Sequence, residues 1–177
     1  MRQAAVLVPL FEEDGAARVV LTKRPDTMPS HRGDVAFPGG KVHPEVDRSL
    51  LEAALREAHE EVGLPPEAVE VVAQLDTLST VTTRFVISPF VGLLAARPEL
   101  VADQREVVRV FDVALADLLA DGVHREELWG PGPMARAVHF FELEPGFGGD
   151  AHDAPECIWG ATARILAEFL TVLTASR

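Results

Sequence analysis

Residues Ala4–Phe11 form an almost unbroken apolar run, and Glu-Glu-Asp-Gly separates them from a second run at Arg18–Thr22. Two such runs flanking an Asp-Gly turn predict a β-hairpin. Pro25–Gly33 has loop composition, and Asp34–Gly40, "DVAFPGG", is a short extended piece ending in a sharp turn. A helix is expected from Ser49 to Val62. Ala68–Leu78 and Thr82–Ala95 are β-rich, Glu106–Val113 is another strand, and Ala114–Asp121 a short helix closed by Gly122. Ala135–Leu143 reads as a strand. The last helix, Trp159–Ala175, places Ile165, Leu166, Phe169, Leu170 and Leu173 at core spacing. Trp129–Met134 and Glu144–Glu156 are loops by their Gly and Pro content, the second long enough to suggest a lid or a mobile segment. Strands and helices alternate irregularly, an α/β (α+β) pattern that predicts a mixed sheet with helices on both faces.

The Ser49–Val62 helix carries an unusual charge pattern. Ser49-Leu50-Leu51-Glu52 fits a capping box, and Gly63 suits the left-handed residue that ends a helix. At about 100° per residue, Leu51, Ala54, Leu55, Ala58 and Val62 share one arc, the predicted buried stripe. Glu57, Glu60 and Glu61 occupy the adjoining arc, close to the C-terminal end. Carboxylates three and four residues apart repel one another, and the helix C-terminus adds its own partial negative charge. Arg56, four residues before Glu60, compensates one charge. The remainder fits either a solvated acidic face or a bound divalent cation. Oxygen-only ligands suit Mg²⁺ or Mn²⁺ better than zinc. "HEEVG" is not the zinc-protease pattern, because Gly63 stands where a second histidine is required.

Composition narrows the partners. The chain has 177 residues and a formal net charge of −12, with 47% hydrophobic and 25% charged residues. One domain spanning 1–177 is expected. The acidity argues against binding nucleic acid or an anionic membrane. No apolar run approaches the roughly 20 residues of a membrane span, and the N-terminal run reads as a strand, not a signal peptide. Cys157 stands alone, which rules out an intrachain disulfide and makes a cytoplasmic location the default.

"REAHEEVGL" resembles the second half of the Nudix box, G-x5-E-x7-R-E-U-x-E-E-x-G-U. Arg56, Glu57, Glu60, Glu61, Gly63 and Leu64 fall in register. The first half departs: Gly40 lies two residues early, Arg48 occupies the box glutamate position, and Asp47 is the neighbouring acid. This variant resembles the coenzyme A pyrophosphatase branch. So does "VLTKRPDTMPSHRGDVAFPGG" (Val20–Gly40), in which Leu21, Thr22, Arg24, Gly33, Phe37, Pro38, Gly39 and Gly40 match that branch's upstream signature. Pro25 and Pro29 replace a serine and an arginine of it. "IWGATARIL" (Ile158–Leu166) looks like the branch's C-terminal helix.

The resemblance implies a Nudix-type α/β/α sandwich and hydrolysis of a nucleoside diphosphate linked to another group. It implies Mg²⁺ or Mn²⁺ held by Glu57, Glu60, Glu61 and the Gly40 carbonyl, with Arg56 orienting the cluster. Glu60, Glu61 or Glu106 is the candidate base. Arg24, Arg32, Gly39 and Lys41 are candidate contacts to the 3′-phosphate and diphosphate of a CoA-like nucleotide. His31 and His152 carry no clear role. A homodimer is typical of the family. The expected reaction is cleavage of CoA or its thioesters, with another nucleoside diphosphate derivative as the alternative and a non-catalytic binding module as a third reading.

Overall fold

The computed structural model describes residues 1–26, 33–80, 84–146 and 154–175. The chain opens with the expected hairpin, β1 (Arg2–Glu13) and β2 (Ala16–Lys23). Asp14 and Gly15 both have positive φ (53° and 77°), as a two-residue hairpin turn matched to strand twist requires. The strands diverge beyond Leu10 and Val19. Into the gap come β3 (Val35–Ala36), which pairs with Thr22–Lys23, and β4 (Gly39–Lys41), which pairs with Ala4–Val6. The "DVAFPGG" segment is therefore a wedge between two core strands. At Gly39, φ is 154° and an added Cβ would lie 2.5 Å from the Ala5 carbonyl oxygen. Only glycine lets the wedge lie this close.

Helix α1 (Leu50–Val62) follows, then a 3₁₀ turn at Pro66–Ala68, β5 (Glu70–Gln74), β6 (Leu78–Ser79) and β7 (Phe85–Leu93). β7 runs parallel to β1, whereas β2, β5 and β6 make antiparallel pairs, so the sheet is mixed as expected. β8 (Arg109–Ala114) closes the other side of β2, and the four-residue helix α2 (Leu115–Leu118) follows it.

The C-terminal part holds two strands that the sequence pattern did not suggest. β9 (His124–Trp129), β10 (Arg136–Leu143) and β11 (Glu156–Trp159) form a separate antiparallel sheet, and α3 covers Gly160–Ala175. Every residue of β9 is exposed, so it lacks the apolar alternation that marks a half-buried strand. β11 starts at Glu156, the last residue of the segment expected to be loop, and displaces the start of α3 by one residue. Glu106, expected to open a strand, lies instead in the turn before β8.

Alternate residues of β1 face opposite cores. Ala5, Leu7 and Phe11 pack with Val20, Phe90 and the α1 face of Ala53, Ala54, Ala58 and Val62. Val8 and Leu10 pack with Val19, Leu21, Phe111, Phe141, Ile158 and the α3 residues Ile165, Leu166 and Phe169. The result is the expected α/β/α layering. Leu51 and Leu55 are half-buried and alanines supply most of the tight face, because a helix lying this close to β1 and β4 leaves room for little more than a methyl group. Glu156 ties the C-terminal sheet to the main one, pairing with Lys23 of β2 and with Arg109 of β8 at 2.7 Å. Among the described residues, no helix is long and apolar enough to cross a membrane.

Gly39→Ala is expected to lower stability by about 2–4 kcal/mol, from strain at positive φ plus overpacking against β1. Urea unfolding of the two proteins measures the difference.

Candidate active site

The glutamates of α1 are placed by how the helix begins and ends. Ser49 Oγ accepts from the Glu52 backbone N–H at 3.1 Å, as a capping box predicts. The reciprocal arm differs, because the Glu52 carboxylate accepts from Arg48 N–H at 2.7 Å, one residue before the cap. At the other end, Gly63 adopts φ 71° and its N–H bonds back to the His59 carbonyl. The loop before β8 then supplies two more donors, Asp103 N–H to Glu61 O (2.8 Å) and Val101 N–H to Val62 O (2.9 Å). Carbonyls that would repel nearby carboxylates are thus hydrogen-bonded.

Arg56 organises the acids around it. Its Nε and Nη2 grip the two oxygens of Asp47 at 2.8 and 3.0 Å, and Nη1 bonds Glu57 at 2.9 Å and Glu60 at 3.0 Å. Nη2 also donates to the Lys41 carbonyl, so the guanidinium joins α1 to β4. Asp47 is buried, accepts from His43 N–H at 2.7 Å, and is held below the usual carboxylate range mainly by Arg56. The sequence offered Asp47 as a stand-in for the box glutamate; its structural role is to anchor Arg56. The signal was present as an acid two residues before the N-cap. A lysine at 56 could not make this planar two-pronged contact.

Glu61 is 4% exposed, and its Oε2 accepts from Gly39 N–H at 3.0 Å. Burial pushes its carboxyl up to about 7; the Gly39 bond and the Arg24 charge pull the other way, while Glu57 and Glu106 add to the rise. Glu57 is half-buried and is also raised, again mainly by burial, against the lowering effect of Arg56. Its carboxylate lies against Gly40, where a Cβ would sit 2.5 Å from Glu57 Cδ. Glu57, Glu61, Gly39 and Gly40 therefore lie together. Glu60 does not join them in this geometry, because its side chain is 58% exposed and turned to Arg56.

The remaining candidates divide. Arg24 is half-buried, close enough to Glu61 for its charge to act there, and its Nε is buried without a hydrogen-bond partner among the described residues. Glu106 is exposed, and its charge reaches both Glu57 and Glu61. Lys41 is exposed and contributes its carbonyl to Arg56. Arg32, His31 and His152 lie outside the described residues.

Among the described residues, no three His, Cys, Asp or Glu side chains stand close enough to hold a metal ion unaided. What fits a cation is the mismatch of charge and burial. Two carboxylates resist ionisation against the Gly39–Gly40 backbone, and a divalent ion would relieve both. The oxygen-only donors suit a hard cation.

A family model described as NUDIX domain matches residues 1–133, and the chain belongs to the Nudix family. Over 175 residues it is 40% identical to "Nudix hydrolase 22, chloroplastic" of Arabidopsis thaliana, covering 97% of this chain and 55% of that protein. Over 177 residues it is 38% identical to "Uncharacterized Nudix hydrolase NudL" of Cronobacter sakazakii, covering 94% of this chain and 80% of that one. A NudL protein of Enterobacter is 46% identical over 118 residues, 67% of this chain and 60% of its own. The chain thus spans little more than half the length of some relatives. The crystal structure of a Nudix hydrolase from M. smegmatis, RenU, matches with a TM-score of 0.57 at 24% identity, over 67% of this chain and 73% of that one. The NUDIX domain of Shewanella oneidensis NrtR, solved with ADP ribose, matches at 0.55 and 21%, over 67% and 76%. These likenesses establish the fold.

Glu61 links stability to pH in a definite direction. Its carboxyl is raised from 4.5 to about 7, so the native state binds more protons than the unfolded chain between those values. Stability from this group is complete below pH 4.5 and is lost as pH rises through 7, a change on the order of 3 kcal/mol. Thermal melts of the metal-free protein between pH 5 and 8 should show this fall. Glu61→Gln should flatten it, and Mn²⁺ at pH 8 should restore the wild-type protein but not the variant.

Proposed function

We propose that the chain is a divalent-metal-dependent pyrophosphohydrolase acting on coenzyme A or its thioesters, yielding 3′,5′-ADP and 4′-phosphopantetheine or its acyl form. The observation that carries the hydrolytic reading is the convergence of Glu57 and Glu61 on Gly39–Gly40 under the Arg56–Asp47 brace. The substrate reading rests on the Val20–Gly40 signature, which includes Arg24 beside that site. Residues 1–177 act as one domain in this reading, in the cytoplasm.

Glu57, Glu61 and the Gly40 carbonyl would hold Mg²⁺ or Mn²⁺, with Glu60 recruited from the solvent side. The ion would supply charge neutralisation and activation of water. In the reaction, a water oxygen bonds to one phosphorus, the bridging P–O bond breaks, and the bridging oxygen leaves with the other phosphate. The chain must orient the diphosphate and accept one proton from the water. Arg24 offers the anion a charge and a buried N–H that has no partner among the described residues. Glu57, Glu60 and Glu61 are committed to the cation in this scheme. Glu106, whose carboxylate makes no hydrogen bond or salt bridge among the described residues, is the proton acceptor in this scheme.

Product analysis with and without Mn²⁺, over CoA, octanoyl-CoA, ADP-ribose, a nucleotide sugar, NADH and a noncanonical nucleoside triphosphate, tests the reading. CoA or its thioester should be cleaved best. Turnover confined to another member of the panel assigns a different nucleoside diphosphate derivative, as the changes at Pro25 and Pro29 would allow. Binding without any turnover assigns a non-catalytic module. Glu57→Gln and Glu61→Gln should each lower kcat by about a hundredfold or more while leaving the fold intact, since both keep shape and remove only charge.

A further inference from the structure

A second cavity lies beyond the far end of the wedge from the glutamates. It is a cleft of about 540 Å³ between β3, β6, β10 and the start of α3. That volume is in the range of small-molecule sites. Ala36, Leu78 and Val138 give it apolar walls, and Trp159, a residue 42% exposed, lines it as well. The ring is already fixed: its Nε1 donates to Asp34 at 3.2 Å, and Trp129 packs beside it at 6.4 Å between centroids. Ala36 belongs to the cleft and Gly39, three residues on, bonds Glu61, so no more than about 11 Å of extended backbone links the two places.

Two arginines decide what the cleft takes. Arg136 and Arg164 both line it, and neither forms a hydrogen bond or an ion pair among the described residues. The chain as a whole is acidic, with 28 acidic and 16 basic residues. Most of its described arginines (Arg18, Arg48, Arg56, Arg97, Arg105, Arg109 and Arg125) hold a carboxylate. An acyl chain or a pantetheine arm would fill the apolar walls but leave both charges unanswered. A base with a phosphomonoester answers both, because its ring stacks on an aromatic face and its dianion suits guanidinium forks. The first turn of α3, Gly160–Thr162, forms part of the same wall and adds a field of the same sign.

We propose that this cleft binds the 3′-phosphoadenosine end of the substrate, with Trp159 against the base and Arg136 and Arg164 on the 3′-phosphate. The inference rests on the coenzyme A reading for its substrate and makes these three residues specificity determinants. It moves the 3′-phosphate from the loop around Arg24, Arg32 and Lys41 to the C-terminal sheet and helix, leaving the loop to the diphosphate.

Calorimetric titration with 3′,5′-ADP and with AMP tests the site without turnover. The wild-type protein should bind 3′,5′-ADP about tenfold or more tightly than AMP. The double variant Arg136→Ala/Arg164→Ala should bring the two within about threefold, with lysine at both positions restoring part of the gap. Both side chains are exposed, so thermal melts should show the variant folded. In turnover, the preference for CoA over dephospho-CoA should collapse in the same variant, through KM and not kcat. Equal affinity of the wild type for 3′,5′-ADP and AMP, or a preference that survives loss of both arginines, overturns the assignment, as does octanoyl-pantetheine displacing nucleotide from the cleft. Absence of CoA hydrolysis by the wild type would instead sink the substrate reading, and the binding comparison would still decide the cleft.

Discussion

Burying the Glu61 carboxylate costs more free energy than the Gly39 N–H bond and the Arg24 charge return, as its rise to about 7 records. A helix does not place an acid there without support from several directions. The wedge must lie close enough for Gly39 to donate, which requires glycine at 39 and a neighbour at 40 that leaves space for Glu57. The helix must also lie tight on β1 and β4, which is why its inner face is built from Ala53, Ala54 and Ala58. A positive charge bound beside the two carboxylates would relieve that cost.

The Arg56–Asp47 pair is what keeps this arrangement rigid. Asp47 is held by the His43 turn, Arg56 by α1, and Nη2 reaches the β4 carbonyl of Lys41. One guanidinium therefore fixes helix, turn and strand relative to one another. It also faces Glu57 and Glu60, lowering the repulsion that three acids on one turn would otherwise generate. Removing one partner from such a part-buried pair leaves the other uncompensated, which is costlier than the net worth of the pair.

The two sheets divide the work in this reading. The main sheet holds the α1 acids and the glycine wedge, the proposed site of bond cleavage. The C-terminal sheet and α3 build the cleft proposed to take one end of the substrate. Glu156, bonded to Lys23 and Arg109, locks the second unit beside the first, next to Arg24. Because β3 is shared by wedge and cleft, distance between chemistry and recognition is fixed by a covalent step of a few residues.

Much of this was legible in the chain alone. The hairpin, the Ser49-capped helix, its Gly63 stop and the cluster of Arg56, Glu57 and Glu61 are local matters of spacing, propensity and turn chemistry. The glycines at 39 and 40 announced a close approach, though not what approached. β9 and β11 were not legible, because an exposed edge strand and a four-residue strand after a Gly-rich segment carry no periodic signal of their own. Their existence depends on pairing with β10. The turn to solvent of Glu60, the anchoring of Arg56 on Asp47 and the meeting of Arg136, Arg164 and Trp159 in one cleft are likewise long-range facts. Charge and spacing determined which residues could do chemistry; only the packing of distant segments decided which of them face one another, since burial and hydrogen-bond partners are properties of the assembled core.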